Sequence, residues 1–373
     1  MNTSSSWQVK VKNLAIGLLC CLLCYGVIAA QVIQVGPQRK VISLAIASTI
    51  AQDGDTIEVD TGTYPADVAV WTQDKLTIRA VGGRVKLPAA GASAEEKGIW
   101  VVRGGAIVVD GFDFVGAKVK YKNGTGIRFE NGQLTIKNCI FTDNENGILT
   151  SGNPQSELTV ENSEFGHNGY GDGYSHNLYV GAIKKLTVIG SYFHHAKVGH
   201  LLKSRAAENH IFYNRLTDET SGNASYELEF PNGGIAYVVG NIIQQSSQTK
   251  NPVIISFGAE EYHWSKNELY LIGNTIADDL PHGGKWLFVK PGLVLVKAMN
   301  NLLVGQGNLD SSMQGDYRNN IHVDKDIFMG SSRQDYRLVN PSKPPLQPLD
   351  PGTANGINLK PQREYVHPRQ TKM

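Results

Sequence analysis

A short phrase that keeps returning constrains this chain more than any other feature. Leu134-Thr-Ile-Lys-Asn-Cys-Ile-Phe141 comes back as Leu158-Thr-Val-Glu-Asn-Ser-Glu-Phe165 and again as Leu186-Thr-Val-Ile-Gly-Ser-Tyr-Phe193. An earlier copy runs from Ile107 to Phe114, and weaker copies end at Leu216, Ile243, Ile276 and Leu303. Aligned, the copies give a small polar column: Cys139, Ser163, Ser191, Asn214, Asn241, Asn274 and Asn301. Its spacings are 24, 28, 23, 27, 33 and 27 residues. One apolar column stands three positions earlier, and another, rich in phenylalanine, stands two positions later. Internal self-similarity of this kind means a stack of like units.

The spacings are too irregular for a coiled coil or a helical solenoid. Within each copy the apolar residues alternate, which is the period of a strand. β-Branched and aromatic residues fill the copies, and Gly, Asn and Asp punctuate the gaps. Forty glycines in 373 residues suit many tight turns. The expectation is an all-β chain: a single-stranded right-handed parallel β-helix with like residues stacked roughly 4.8 Å apart. In that arrangement the phenylalanines stack inside. The asparagines form a ladder of buried amides that partner one another at a bend, a structural role and not a binding one.

A β-helix needs caps, because its end coils expose unpaired strand edges. Val41 to Ala51 has helical apolar spacing and precedes the strand-like Asp53-Gly-Asp-Thr-Ile-Glu-Val59, so it is read as an N-terminal cap helix. Residues 31–340 are assigned to the β-helix. Residues 341–373 are rich in Pro and charge and are read as an extended tail on the body.

Residues 1–30 stand apart. Lys10 and Lys12 precede an uncharged apolar run from Leu14 to Ala30. This pattern reads as a secretory signal peptide, with an uncleaved membrane anchor as the alternative. The expected location is secreted or periplasmic, with no membrane contact after cleavage. Cys20, Cys21 and Cys24 lie inside the run, so cleavage leaves Cys139 as the only thiol. Cleavage also moves the formal charge from +1 to −1. Neither value gives a field that would draw nucleic acid. Oligomeric state stays open.

The chain resembles the pectate-lyase-like superfamily of right-handed β-helix proteins. The resemblance rests on Ala51 to Tyr64, similar to the usual first coil of that group, and on Asp335-Tyr-Arg-Leu338, similar to its last segment. A narrower similarity, to the family of alginate lyases and chondroitinase B, rests on His200-Leu-Leu-Lys-Ser-Arg205 with Asn209 and Asn214. That resemblance implies an acidic polysaccharide as partner and Lys203 as general base. It raises calcium as a cofactor, although no metal ligand is assigned here. Two features differ from that family. One coil on, Glu229-Phe-Pro-Asn-Gly233 carries no arginine, and Lys197-Val-Gly199 stands where acids would bind calcium.

The residues able to do chemistry gather in three successive copies. Asp172 and His176 lie in the first, His200, Lys203 and Arg205 in the second, and Glu227 and Glu229 in the third. Alternation along Tyr226-Glu-Leu-Glu-Phe230 puts Glu227 and Glu229 on one outward face. Lys203 and Arg205 share the outward face of the coil before it. Such a patch serves either as cross-strand ion pairs worth about 0.2–1 kcal/mol each or as a polysaccharide groove. In the groove reading Lys203 or a histidine removes a proton and Arg205 binds a carboxylate. Glu227 and Glu229 as a hydrolytic carboxylate pair is a further alternative. His176, Asp172, Tyr174 and Tyr170 are the expected substrate-binding residues, the two tyrosines as stacking platforms in the Gly-rich loop Gly166 to Ser175. A carbohydrate-binding or structural envelope protein without catalysis is the alternative to an enzyme.

Overall fold

The computed structural model describes residues 30–309, 314–333 and 335–373. The segment read as a signal peptide, with Cys20, Cys21 and Cys24, lies outside the described residues except for Ala30. The body of the chain is a parallel β-solenoid. Twenty-one strands link into one sheet that wraps two faces, and ten strands form the other face. Every pairing within these two sheets is parallel, and each strand pairs with its counterpart one coil away.

The repeat columns map directly onto this register. Leu134, Leu158 and Leu186 are paired partners in three adjacent strands. Phe114, Phe141, Phe165 and Phe193 pair likewise. Their rings stack with centroids 4.9, 4.7 and 4.7 Å apart and nearly parallel planes. The spacing equals the rise between strands, so each ring meets the next face to face and all four are fully buried.

The polar column sits at the bend between the two faces of the larger sheet. The backbone N–H of each residue donates to the side-chain oxygen of the next: Ser191 to Asn214 at 2.9 Å, Asn214 to Asn241 at 2.8 Å, Asn241 to Asn274 at 2.9 Å and Asn274 to Asn301 at 2.9 Å. Asn320 extends the ladder beyond the last copy seen in the sequence. A second ladder, Asn144–Asn168–Asn177, runs through other coils. Both satisfy backbone groups that the bend removes from the strand ladders.

The helix spans Leu44–Ile50. It is shorter than the apolar spacing suggested because Ser43 caps it and the chain is extended at Ala51. Leu44 and Ala47 pack onto the first coil, and the Asp67 carboxylate accepts the N–H groups of Leu44 and Ala45. Cys139 is buried and unpaired in the core.

The last segment runs back along the stack. Lys297 Nζ donates to the Pro351 carbonyl, Asn355 donates to Tyr237, and Arg369 pairs with Glu164. Two short hairpins, Thr353–Asn358 and Glu364–Lys372, interrupt its course. No helix of the described residues is long and apolar enough to cross a membrane.

Candidate functional site

Three strands of the ten-stranded sheet carry the site: Leu178–Val180, Leu202–Ser204 and Leu228–Phe230. Their first residues are aligned leucines turned into the core, each fully buried. Their middle residues, Tyr179, Lys203 and Glu229, are therefore aligned on the outer face.

Lys203 Nζ lies 3.0 Å from Glu229 Oε2 and 2.9 Å from Glu260 Oε1. The other oxygen of Glu260 lies 2.7 Å from Arg205. One carboxylate thus bridges two cations. Arg205 also donates to the Tyr179 hydroxyl at 3.0 Å and to the side chain of Asn232. Its backbone carbonyl accepts the Trp264 indole N–H at 3.1 Å. His200 Nδ1 stands 3.0 Å from Glu229 Oε2. His176 lies below it, with ring centroids 4.5 Å apart, and stacks on Tyr179. The His200 backbone N–H donates to His176 Nδ1 at 2.9 Å, which places the proton of a neutral His176 on Nε2.

Burial sets the electrostatics. It pushes His176 well below the ordinary histidine range, helped by the neighbouring His200. It lowers His200 as well, against the pull of Glu229. Burial alone would raise Glu229, but His200 and Lys203 more than offset it and hold the carboxyl below its usual range. Glu260 follows the same logic, with Lys203 and Arg205 outweighing its desolvation.

Of the residues expected from sequence, Lys203, Arg205, His200, Glu229 and His176 come together. Glu227 does not. It is fully buried, and its charged neighbours are Asp218 and Asp278. The strand begins only at Leu228, and the chain is turning a corner at Glu227. There its N–H bonds to Ile254 and its carbonyl accepts from Leu202. Simple alternation fails at that corner, and Glu227 and Glu229 form no outward pair. The hydrolytic pair loses its geometric basis.

Asp172, Tyr174 and Tyr170 sit on the exposed glycine-rich loop. Asp172 accepts the Tyr174 backbone N–H at 3.0 Å, Tyr174 is 88% exposed, and Lys122 covers Tyr170. These contacts lie within their own loop and its neighbour, and none of them is made to the Lys203 cluster. Tyr179, Asn232 and Glu260 join that cluster instead. Tyr179 was legible, since Leu-Tyr-Val, Leu-Lys-Ser and Leu-Glu-Phe align once the leucines are matched. Glu260 reaches Lys203 across 57 residues and a full intervening coil.

The arrangement does not suit calcium. That ion takes about six to eight oxygen ligands, whereas both carboxylates here, Glu229 and Glu260, are occupied by cations. A cleft of about 570 Å³ lies elsewhere, between Arg215 and the C-terminal hairpin. Three of its cations are paired, Arg215 with Glu219, Arg337 with Asp335 and Lys372 with Glu364.

An alginate lyase from Paenibacillus sp. str. FPU-7 matches this structure with a TM-score of 0.55 at 15% identity, over 78% of this chain and 99% of that one. The fold is that of the pectate-lyase-like β-helices. Pectate lyase Pel9A matches with a TM-score of 0.56 at 12% identity, over 82% of this chain and 84% of that one. No protein-family model and no curated protein sequence matches the chain. The identities are low enough that the likeness is one of pectate-lyase-like β-helix architecture, a frame that hosts many chemistries.

Proposed function

We propose that this chain is a secreted lyase that cleaves an acidic polysaccharide by β-elimination at a uronate. One observation carries the reading: Lys203 and Arg205 together hold a carboxylate, that of Glu260, on the outer face of the solenoid. A uronate carboxylate has the same charge and shape. Its arrival in that seat displaces Glu260, whose side chain is 45% exposed and free to swing away.

The chemistry is set by the neighbours. Arg205 neutralises the substrate carboxylate, which makes the hydrogen on the adjacent ring carbon acidic. The arriving uronate carboxylate takes the place of Glu260, and Glu229 stays as the protein carboxylate beside Lys203. The Lys203 amine takes the ring proton, a carbon–carbon double bond forms, and the bond to the leaving sugar oxygen breaks. The Tyr179 hydroxyl, beside Arg205, supplies the proton that this oxygen needs. Glu229 and His200 position Lys203 from below. The names of the matching structures, an alginate lyase and a pectate lyase, make alginate and pectate the first substrates to try. Secretion rests on Lys10, Lys12 and the apolar run after them.

A second reading, glycan binding without turnover, draws on the complete internal pairing of Lys203, Arg205, Glu229 and Glu260. Purified protein incubated with alginate, pectate and glycosaminoglycans, with absorbance of new unsaturated ends as readout, separates the two. Turnover that disappears in Lys203→Ala supports the lyase. Binding without product from any of these polymers would leave the second reading standing.

A further inference from the structure

Three histidines meet at one corner of the solenoid, away from the residues assigned above. His167 follows the strand Glu164–Gly166, His194 ends the strand Tyr192–His194, and His195 comes next. Gly166 and His194 are register partners in adjacent coils, so His167 and His195 lie one above the other. Their rings stack with centroids 4.7 Å apart, and the His194 ring stands edge-on to both. One nitrogen from each ring falls within 4.8 Å of the others.

The local backbone is arranged around these rings. His167 and His195 both have left-handed backbone angles, φ 57° and 46°, which a histidine adopts at some cost. Gly166 is required, because a Cβ there would lie 2.2 Å from the His194 ring. Such strain is held in place by the surrounding fold.

The orientation of the nitrogens is the deciding feature. His194 Nδ1 and His195 Nδ1 face each other at 2.8 Å. At most one of them carries a hydrogen at that distance, so at least one lone pair points into the shared space. The outer nitrogens face acceptors: His194 Nε2 lies 3.5 Å from Glu164, and His195 Nε2 lies 3.3 Å from the Ser221 hydroxyl. Metal-bound histidines keep their second N–H on a carboxylate or other oxygen in this way. Glu164 is itself anchored by Arg369 at 2.8 Å.

We propose that His167, His194 and His195 bind one divalent ion of the zinc class, with the inner nitrogens as ligands and a fourth position open to solvent. Imidazole nitrogen suits Zn²⁺, Cu²⁺ and Ni²⁺, and not calcium. Metal–nitrogen bonds of about 2.0–2.1 Å in a tetrahedron put ligand atoms about 3.3 Å apart. The facing Nδ1 pair therefore opens by about half an ångström, and the exposed His167 ring turns inward to complete the set. The bound ion would tie two coils together and, through Glu164 and Arg369, reach the C-terminal segment.

The test uses full-length mature protein without a polyhistidine tag, stripped with chelator and titrated with Zn²⁺ by calorimetry. Co²⁺ is added in parallel as a spectroscopic probe. One equivalent of Zn²⁺ and visible Co²⁺ bands of tetrahedral intensity are expected. His167→Asn keeps the left-handed backbone, which asparagine tolerates, and removes the imidazole. It should weaken Zn²⁺ binding at least ten-fold, and His195→Asn should do the same. Wild-type protein that binds Zn²⁺ no more tightly than these two variants would overturn the proposal. Glu164→Gln should weaken affinity about ten-fold without changing the stoichiometry. An unchanged affinity there would remove Glu164 from the site.

Discussion

Lys203 Nζ lies 2.9 Å from Glu260 Oε1, two residues that stand 57 positions apart in the chain. The contact makes Glu260 a resident occupant of a seat that also suits a substrate carboxylate. Glu260→Gln should therefore tighten binding of oligouronates about three- to ten-fold and leave neutral glycans unaffected. Titration calorimetry with matched acidic and neutral oligosaccharides reads this directly. Equal or weaker uronate binding in the variant would argue that Glu260 helps to hold the substrate.

Tyr179 is the proposed proton donor to the leaving oxygen. Tyr179→Phe keeps the ring that stacks on His176 and removes only the hydroxyl. Turnover should fall about 10²- to 10⁴-fold with glycan affinity nearly unchanged. Steady-state rates near wild type would eliminate Tyr179 from the chemistry.

The buried acids give stability a definite pH dependence. Burial raises Asp218 to about 8, and burial together with Asp218 raises Glu227 well above the carboxylate range. Between the ordinary carboxylate range and those higher values, the native chain holds protons that the unfolded chain has released. The contribution of these two groups to stability is therefore full at low pH and falls as pH rises, by up to about 1.4 kcal/mol per pH unit for each group. Asp218→Asn should flatten this slope. Denaturation midpoints at pH 5 and pH 9 give the comparison, and parallel curves for variant and wild type would refute it.

The bend ladder should behave as a unit. Asn241 accepts from both nitrogens of Asn214 and donates to Ile211 and Asn274. Asn241→Ala strands buried partners on both sides and should cost about 2–3 kcal/mol. Chemical denaturation measures the loss, and a change below about half a kilocalorie would mean that water replaces the amide.

Repetition made the solenoid readable. A parallel stack must put like residues over like, so Phe141, Phe165 and Phe193 announce one column by spacing alone. The same holds for Asn214, Asn241 and Asn274, while Lys203 and Glu229 are read as outward from alternation within their own strands. Glu227 was misplaced because a two-residue period holds only inside a strand, and the corner begins one residue before Leu228. Asn144, Asn168 and Asn177 escaped notice because unequal turns scatter them, and Asn168 and Asn177 fall within nine residues of each other.

By itself the sequence determined which residues recur, and hence the coils, the stacked core and the outward position of the Lys203 strand. Tertiary structure alone decided what those outward groups meet. Turn lengths between coils follow no period, and only their folded paths bring Glu260 to Lys203 and Arg205. The same paths set His167 against His194 and His195, and turn Glu227 away from the surface into the core.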